Sequence, residues 1–167
     1  MTGDEICNKL SEMSHQGEKL ENLLKNAVEL LHESEPAFHW TGIYELFPDQ
    51  VLRLGPFVGA PTDHVFIGVG QGVCGTAVAE KRNQNIPDVR CISNYLACST
   101  ETKSELVVLI RLGDTIFAQI DIDSHVVAAF DDDTVAAVEA LADWLAGAYA
   151  AGRSSGINPG GAESHAA

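Results

Sequence analysis

The stretch ELVVLIRLGDTIFAQIDID, residues 105–123, decides how the chain folds: two runs of branched and aromatic residues, Glu105 to Arg111 and Thr115 to Asp123, meet across Leu112-Gly113-Asp114. Runs of this composition, joined by a glycine-containing turn, predict a β-hairpin. In the second run Asp121 and Asp123 alternate with Ile120 and Ile122, which puts two carboxylates on one face of an otherwise apolar strand. Buried strands have little structural use for paired acids, so a functional role is favoured for them.

Outward from the hairpin, residues 90–103 are polar and irregular and carry Cys91 and Cys98. Before them, Gly68, Gly70, Gly72 and Gly75 crowd a turn, and the small residues from Gly75 to Glu80 begin a short helix. The spacing GVGQG is not GxGxxG and lies in no βαβ unit, which excludes a dinucleotide site. A first hairpin is predicted from Phe38 to Phe47 and Val51 to Val58, divided at Pro48-Asp49-Gln50. Ile6, Leu10, Met13, Leu20, Leu24, Ala27 and Leu31 follow helical spacing, with a break at Ser14 to Gly17. That stripe suits either the domain's own core or a second copy in a homodimer. From Asp131 three aspartates suit a helix N-terminus, and Val135, Val138, Leu141, Trp144, Leu145 and Ala148 form its buried face. Residues 152–167 read as a disordered tail, leaving 1–151 as one domain. The order helix, hairpin, helix, loop, hairpin, helix is that of an α+β domain, an antiparallel sheet flanked by N- and C-terminal helices.

The 167 residues fit one domain, and 46% hydrophobic with 20% charged residues is the composition of a packed globule. No apolar window approaches the roughly 20 residues of a membrane span, and the polar N-terminus carries no secretory pattern, so a cytoplasmic location is expected. The formal charge of −14 repels phosphate backbones and anionic headgroups, arguing against nucleic acid and membrane as partners. Cys7, Cys74, Cys91 and Cys98 show no CxxC or Cys/His metal spacing.

The segments HWTGIYEL, LRLGPFVG, GVGQGVCGTAVAE, IPDV, NYLACSTETKSELVV and IDIDS, in that order, resemble the free methionine-(R)-sulfoxide reductases, a branch of the GAF domains. The offsets carry the resemblance: Cys98 follows Cys74 by 24 residues, Glu105 follows Cys98 by 7, and Asp121 and Asp123 follow it by 23 and 25. The resemblance implies a single GAF domain with Cys98 as the nucleophile, in a loop closing over a pocket. It implies that Glu105, Asp121 and Asp123 hold the ammonium and sulfoxide of free methionine sulfoxide, and that Trp40 and Tyr44 enclose its methyl end. A thioredoxin-like reductant would recycle the resulting disulfide, with no metal or bound cofactor. One position departs: the family's usual cysteine ten residues before Cys74 is His64 here, and Cys91 is an extra thiol. The resolving thiol is thus Cys74, at the family's position, or Cys91.

Each assignment has a plainer counterpart. Cys74 fits packing beside a tight glycine turn as well as chemistry. Trp40 and Tyr44, alternating with Gly42, have the spacing of core aromatics. GAF domains also serve as sensors, so a non-catalytic small-molecule-binding module stands as the alternative to an enzyme.

Overall fold

In the computed structural model, which describes residues 1–96 and 99–154, the elements in chain order are helices α1 (Gly3–His15) and α2 (Leu20–Ser34), strands β1 (Trp40–Leu46), β2 (Val51–Val58) and β3 (Phe66–Gly68), and helix α3 (Gly72–Glu80). Strand β4 (Gln84–Ile86), a 3-10 turn (Val89–Cys91), strands β5 (Ser104–Leu112) and β6 (Thr115–Ser124), and helix α4 (Asp132–Ser154) complete the chain. All strands join one antiparallel sheet in the order β3-β2-β1-β6-β5-β4. Both expected hairpins form, and the α+β architecture is the expected one. Among the described residues, no helix is long and apolar enough to cross a membrane.

The sheet separates two cores. On one face Ile43, Leu106, Val108, Ile110, Ile120 and Ile122 meet the apolar stripes of α1, α2 and α4. Each such side chain contributes about 1.5–3 kcal/mol when fully buried. Ile6, Leu10, Leu24, Ala27 and Leu31 all lie in this core, with Met13 and Leu20 packed at its edge. The N-terminal stripe is therefore packed in the core of its own chain. The opposite face carries a smaller core of Trp40, Tyr44, Leu52, Cys74, Val107 and Leu109, roofed by α3.

Local chemistry sets the boundaries. The α1 helix opens on a capping box in which Thr2 and Glu5 satisfy each other's backbone N–H, and it ends before Gly17, whose φ of +87° favours glycine. The α4 helix opens where the Asp131 side chain accepts from Thr134 N–H at 2.8 Å. It runs to Ser154, so residues 152–154, assigned to the tail, are helical, the last turn being held by Arg153 over the Phe117 ring at 4.5 Å despite the low helix propensity of Gly152. The rest of that tail lies outside the described residues.

Strands β3 and β4 are absent from the sequence reading. At three residues each they are too short to show alternation, and only pairing with β2 and β5 defines them. Helix α3 also starts three residues earlier than expected, at Gly72. The turn before it is closed by Gly70 N–H donating to Gly75 C=O at 2.8 Å. A Cβ on Gly75 would lie 2.4 Å from the backbone oxygen of Gly68, so only glycine fits.

Gly75→Ala should therefore cost about 2–3 kcal/mol through overpacking against backbone. Gly147→Ala, on α4 with open space around it, should gain about 0.5–1 kcal/mol from helix propensity. Urea unfolding of the two variants checks both signs.

Candidate active site

Strand alternation builds the site. Trp40, Gly42 and Tyr44 of β1, Gln119, Asp121 and Asp123 of β6, and Glu105, Val107 and Leu109 of β5 share the face away from the terminal helices. Register aligns them in rows: Trp40, Asp123 and Glu105 across one, Gly42, Asp121 and Val107 across the next, Tyr44, Gln119 and Leu109 across the third. The carboxyls of Glu105, Asp121 and Asp123 are thus neighbours because β6 pairs with β5. All three residues are at most 4% exposed.

The α3 helix delivers Cys74 onto this face, with its thiol donating to Glu105 Oε1 at 3.9 Å. The Cys74 sulfur and one oxygen each from Glu105 and Asp121 all lie within 4.8 Å of one another, a group able to hold a metal ion. Above them is a cavity of about 10 Å³, lined by His64, Gln71, Val73, Cys74, Leu96 and Glu105 among others. Leu96 seats on Gly72, where a Cβ would come within 3.0–3.1 Å of its side chain, and Asn94 donates to Gly70 C=O at 3.0 Å. The 92–96 segment thereby covers the cavity.

Trp40 and Tyr44 flank the acids but are tied into the 59–65 loop. Trp40 Nε1 donates to Ala60 C=O at 3.1 Å, and Tyr44 O–H donates to His64 C=O at 2.7 Å. The Trp40 ring lies over Gly42, where a Cβ would meet it at 2.4 Å, and stacks on Phe57. Both aromatics belong to the smaller core. Cys91 is exposed on the 3-10 turn, whereas Cys74 is buried. Cys98 lies outside the described residues.

Burial and crowding control protonation. Desolvation first, then the charges of Asp121 and Asp123, push the Glu105 carboxyl well above the usual carboxylate range. Burial pushes Asp121 up to about 6, while its contacts with Glu105 and Cys74 pull the other way. Glu105 is accordingly a member of the cluster whose proton is held more tightly than an ordinary carboxyl holds one. Neither oxygen of Asp121 has a partner in hydrogen-bonding geometry, nor does either carboxamide atom of Gln119.

Three residues at the site escaped the sequence reading. Gln119 shares the two-residue period of Asp121 and Asp123, a signal that could have found it. Leu96 is apolar within a polar loop, also a legible sign. Gln71 reaches the cavity wall through the glycine turn, which no periodicity reveals.

Comparison with known proteins matches residues 19–149 to the GAF domain. Free methionine-R-sulfoxide reductase of Escherichia coli is 41% identical over 110 residues, spanning 66% of this chain and 66%, just under two thirds, of that relative. The solved free methionine-R-sulfoxide reductase of Neisseria meningitidis, in complex with its substrate, superposes with a TM-score of 0.84 at 26% identity, covering 93% of this chain and 90% of that one. The type II enzyme of Thermoplasma acidophilum gives 0.74 at 37% identity, covering 77% and 91%. With the fold, the sheet order and these matches in agreement, the chain belongs to the GAF domain family, and its relatives there include the free methionine-R-sulfoxide reductases.

Proposed function

We propose that this chain reduces free L-methionine-(R)-sulfoxide to L-methionine, and that the protonated Glu105 carboxyl beside Cys74 is the feature that carries the reading. A sulfoxide is a poor electrophile until its oxygen is protonated, so thiol attack requires an acid that holds its proton at neutral pH. Burial and two neighbouring carboxylates supply one here.

In this scheme the Cys98 thiolate attacks the sulfoxide sulfur while Glu105 protonates the departing oxygen. The oxygen passes to Cys98, which becomes a sulfenic acid, and the substrate leaves as a thioether. Cys74 then attacks the sulfenic sulfur, releasing water and forming a disulfide that a thioredoxin-like dithiol reduces. Cys74 is preferred to Cys91 as the resolving thiol because it lies on the carboxyl-bearing face, while Cys91 points to solvent. Asp121 and Asp123 suit the substrate's ammonium group, and Trp40 and Tyr44 its methyl end. The absence of long apolar helices among the described residues fits the cytoplasmic location expected of such an enzyme.

Incubation with free methionine-(R)-sulfoxide and dithiothreitol should yield methionine, with no turnover of the N-acetylated, C-amidated compound and none by Cys98→Ser. Binding without turnover would identify a sensor module instead. Mass mapping after one equivalent of sulfoxide should find a Cys74–Cys98 disulfide; a Cys91–Cys98 bridge would reject the assignment of Cys74. Glu105→Gln removes the proton but keeps the shape, and should slow turnover by a factor on the order of 10² to 10⁴, read from the single-turnover rate.

Stability should carry the same signature. Asp121 has a folded-state pKa raised from 3.8 to about 6. Its contribution is therefore fully present below about pH 4 and is lost as pH rises through about 6. Asp121→Asn should leave stability unchanged at pH 4 and raise it by about 2–3 kcal/mol at pH 8, measured by urea unfolding at both values.

A further inference from the structure

We infer that the group at the floor of the covered cavity, the Cys74 thiolate and the carboxylates of Glu105 and Asp121, binds a single zinc ion, and that this ion switches the site off. Zinc takes sulfur and oxygen ligands together at bond lengths of about 2.0–2.3 Å. The three ligand atoms already lie within 4.8 Å of one another. Tetrahedral coordination at those bond lengths spaces the ligand atoms about 3.3–3.5 Å apart, and Cys74 Sγ and Glu105 Oε1 are already at 3.9 Å.

Two further observations point to an ion. The cavity of about 10 Å³ has the size of one water molecule. It admits a dehydrated cation and excludes an amino acid until the 92–96 segment lifts. Asp121, fully buried, has neither oxygen in hydrogen-bonding geometry, and its contacts are with Glu105 and Cys74, so a metal bond would displace only contacts internal to the cluster. No lysine or arginine lines the cavity among the described residues, and His64 is the basic side chain at its wall.

The donor set also selects the metal. Thiolate with carboxylate suits zinc, with the one water the cavity can hold as fourth ligand, whereas magnesium requires octahedral oxygen coordination and takes no thiolate. On binding, the Cys74 thiol proton and any carboxyl proton pass to solvent. Cys74 can then no longer attack a sulfenic acid, and Glu105 can no longer protonate a sulfoxide. Binding is independent of the proposed reductase activity; the inhibition rests on it.

The test uses the full chain, reduced, under anaerobic and chelator-free conditions, with cobalt(II) as the spectroscopic stand-in for zinc. One equivalent should produce a thiolate-to-cobalt charge-transfer band with four-coordinate visible bands. Zinc should displace it, and excess magnesium should not. Cys74→Ser should abolish the charge-transfer band, Cys7→Ser should keep it, and Asp121→Asn should weaken affinity about tenfold or more. Thermal melting establishes that each variant is folded, and should Cys74→Ser fail to fold, Asp121→Asn decides. Zinc should also halt methionine sulfoxide reduction, reversibly with a chelator. Absence of the band, its survival in Cys74→Ser, or unchanged affinity in Asp121→Asn would overturn the metal site. A cobalt spectrum without any sulfoxide reduction would support the metal site while overturning the reductase reading.

Discussion

Three carboxyl groups buried side by side on the central hairpin are the constraint around which this molecule is organised. Water would gladly hold all three as carboxylates. Within the fold burial raises Glu105 and Asp121 above the usual carboxylate range, and the strand register adds to it for Glu105, which stands across from Asp123 and near Asp121. The same register that pairs β5 with β6 therefore fixes both a structural cost and a chemical capacity.

That cost is carried by the other face of the sheet. Helices α1, α2 and α4 bury a large apolar core there, and the residues supplying it from β5 and β6 are the immediate sequence neighbours of the acids. Leu106 follows Glu105, and Ile120 and Ile122 flank Asp121. Stabilising and chemically active side chains are thus interleaved one for one, and no shift of register could lose one set without the other. Such an arrangement tolerates an unfavourable electrostatic face because the favourable apolar face is inseparable from it.

Much of this was legible in the sequence, for identifiable reasons. The 105–123 hairpin showed itself because its alternation is long, and the aspartates stood out because they interrupt it. The helical stripes were equally plain, since Ile6 to Leu31 and Val135 to Ala148 span several turns each. Strands β3 and β4 were not visible, because three residues carry no period and their existence depends on partners distant in the chain. Gln119 had the right parity but lacked charge, and so did not attract notice beside Asp121. Whether Cys74 packs or reacts could not be decided from its neighbours, because a glycine turn demands a small residue for either purpose. Its 3.9 Å approach to Glu105, across 31 residues, and its place beside Asp121 add chemistry to that position.

The covered cavity bears on timing. With Leu96 seated on Gly72 and Asn94 bonded to Gly70, the space over Cys74 is about that of one water molecule, too small for glutathione or a protein disulfide. Bulky thiol reagents must wait for the segment to undock, so their encounter with Cys74 is gated by loop opening rather than by diffusion. Among the described residues the cover includes the Asn94 hydrogen bond and the packing of Tyr95 and Leu96 on the smaller core, local contacts whose opening is less costly than global unfolding. The buried thiol is consequently sheltered from mixed-disulfide exchange for most of the molecule's lifetime, and it becomes accessible to large partners only in the brief intervals when the pocket is open.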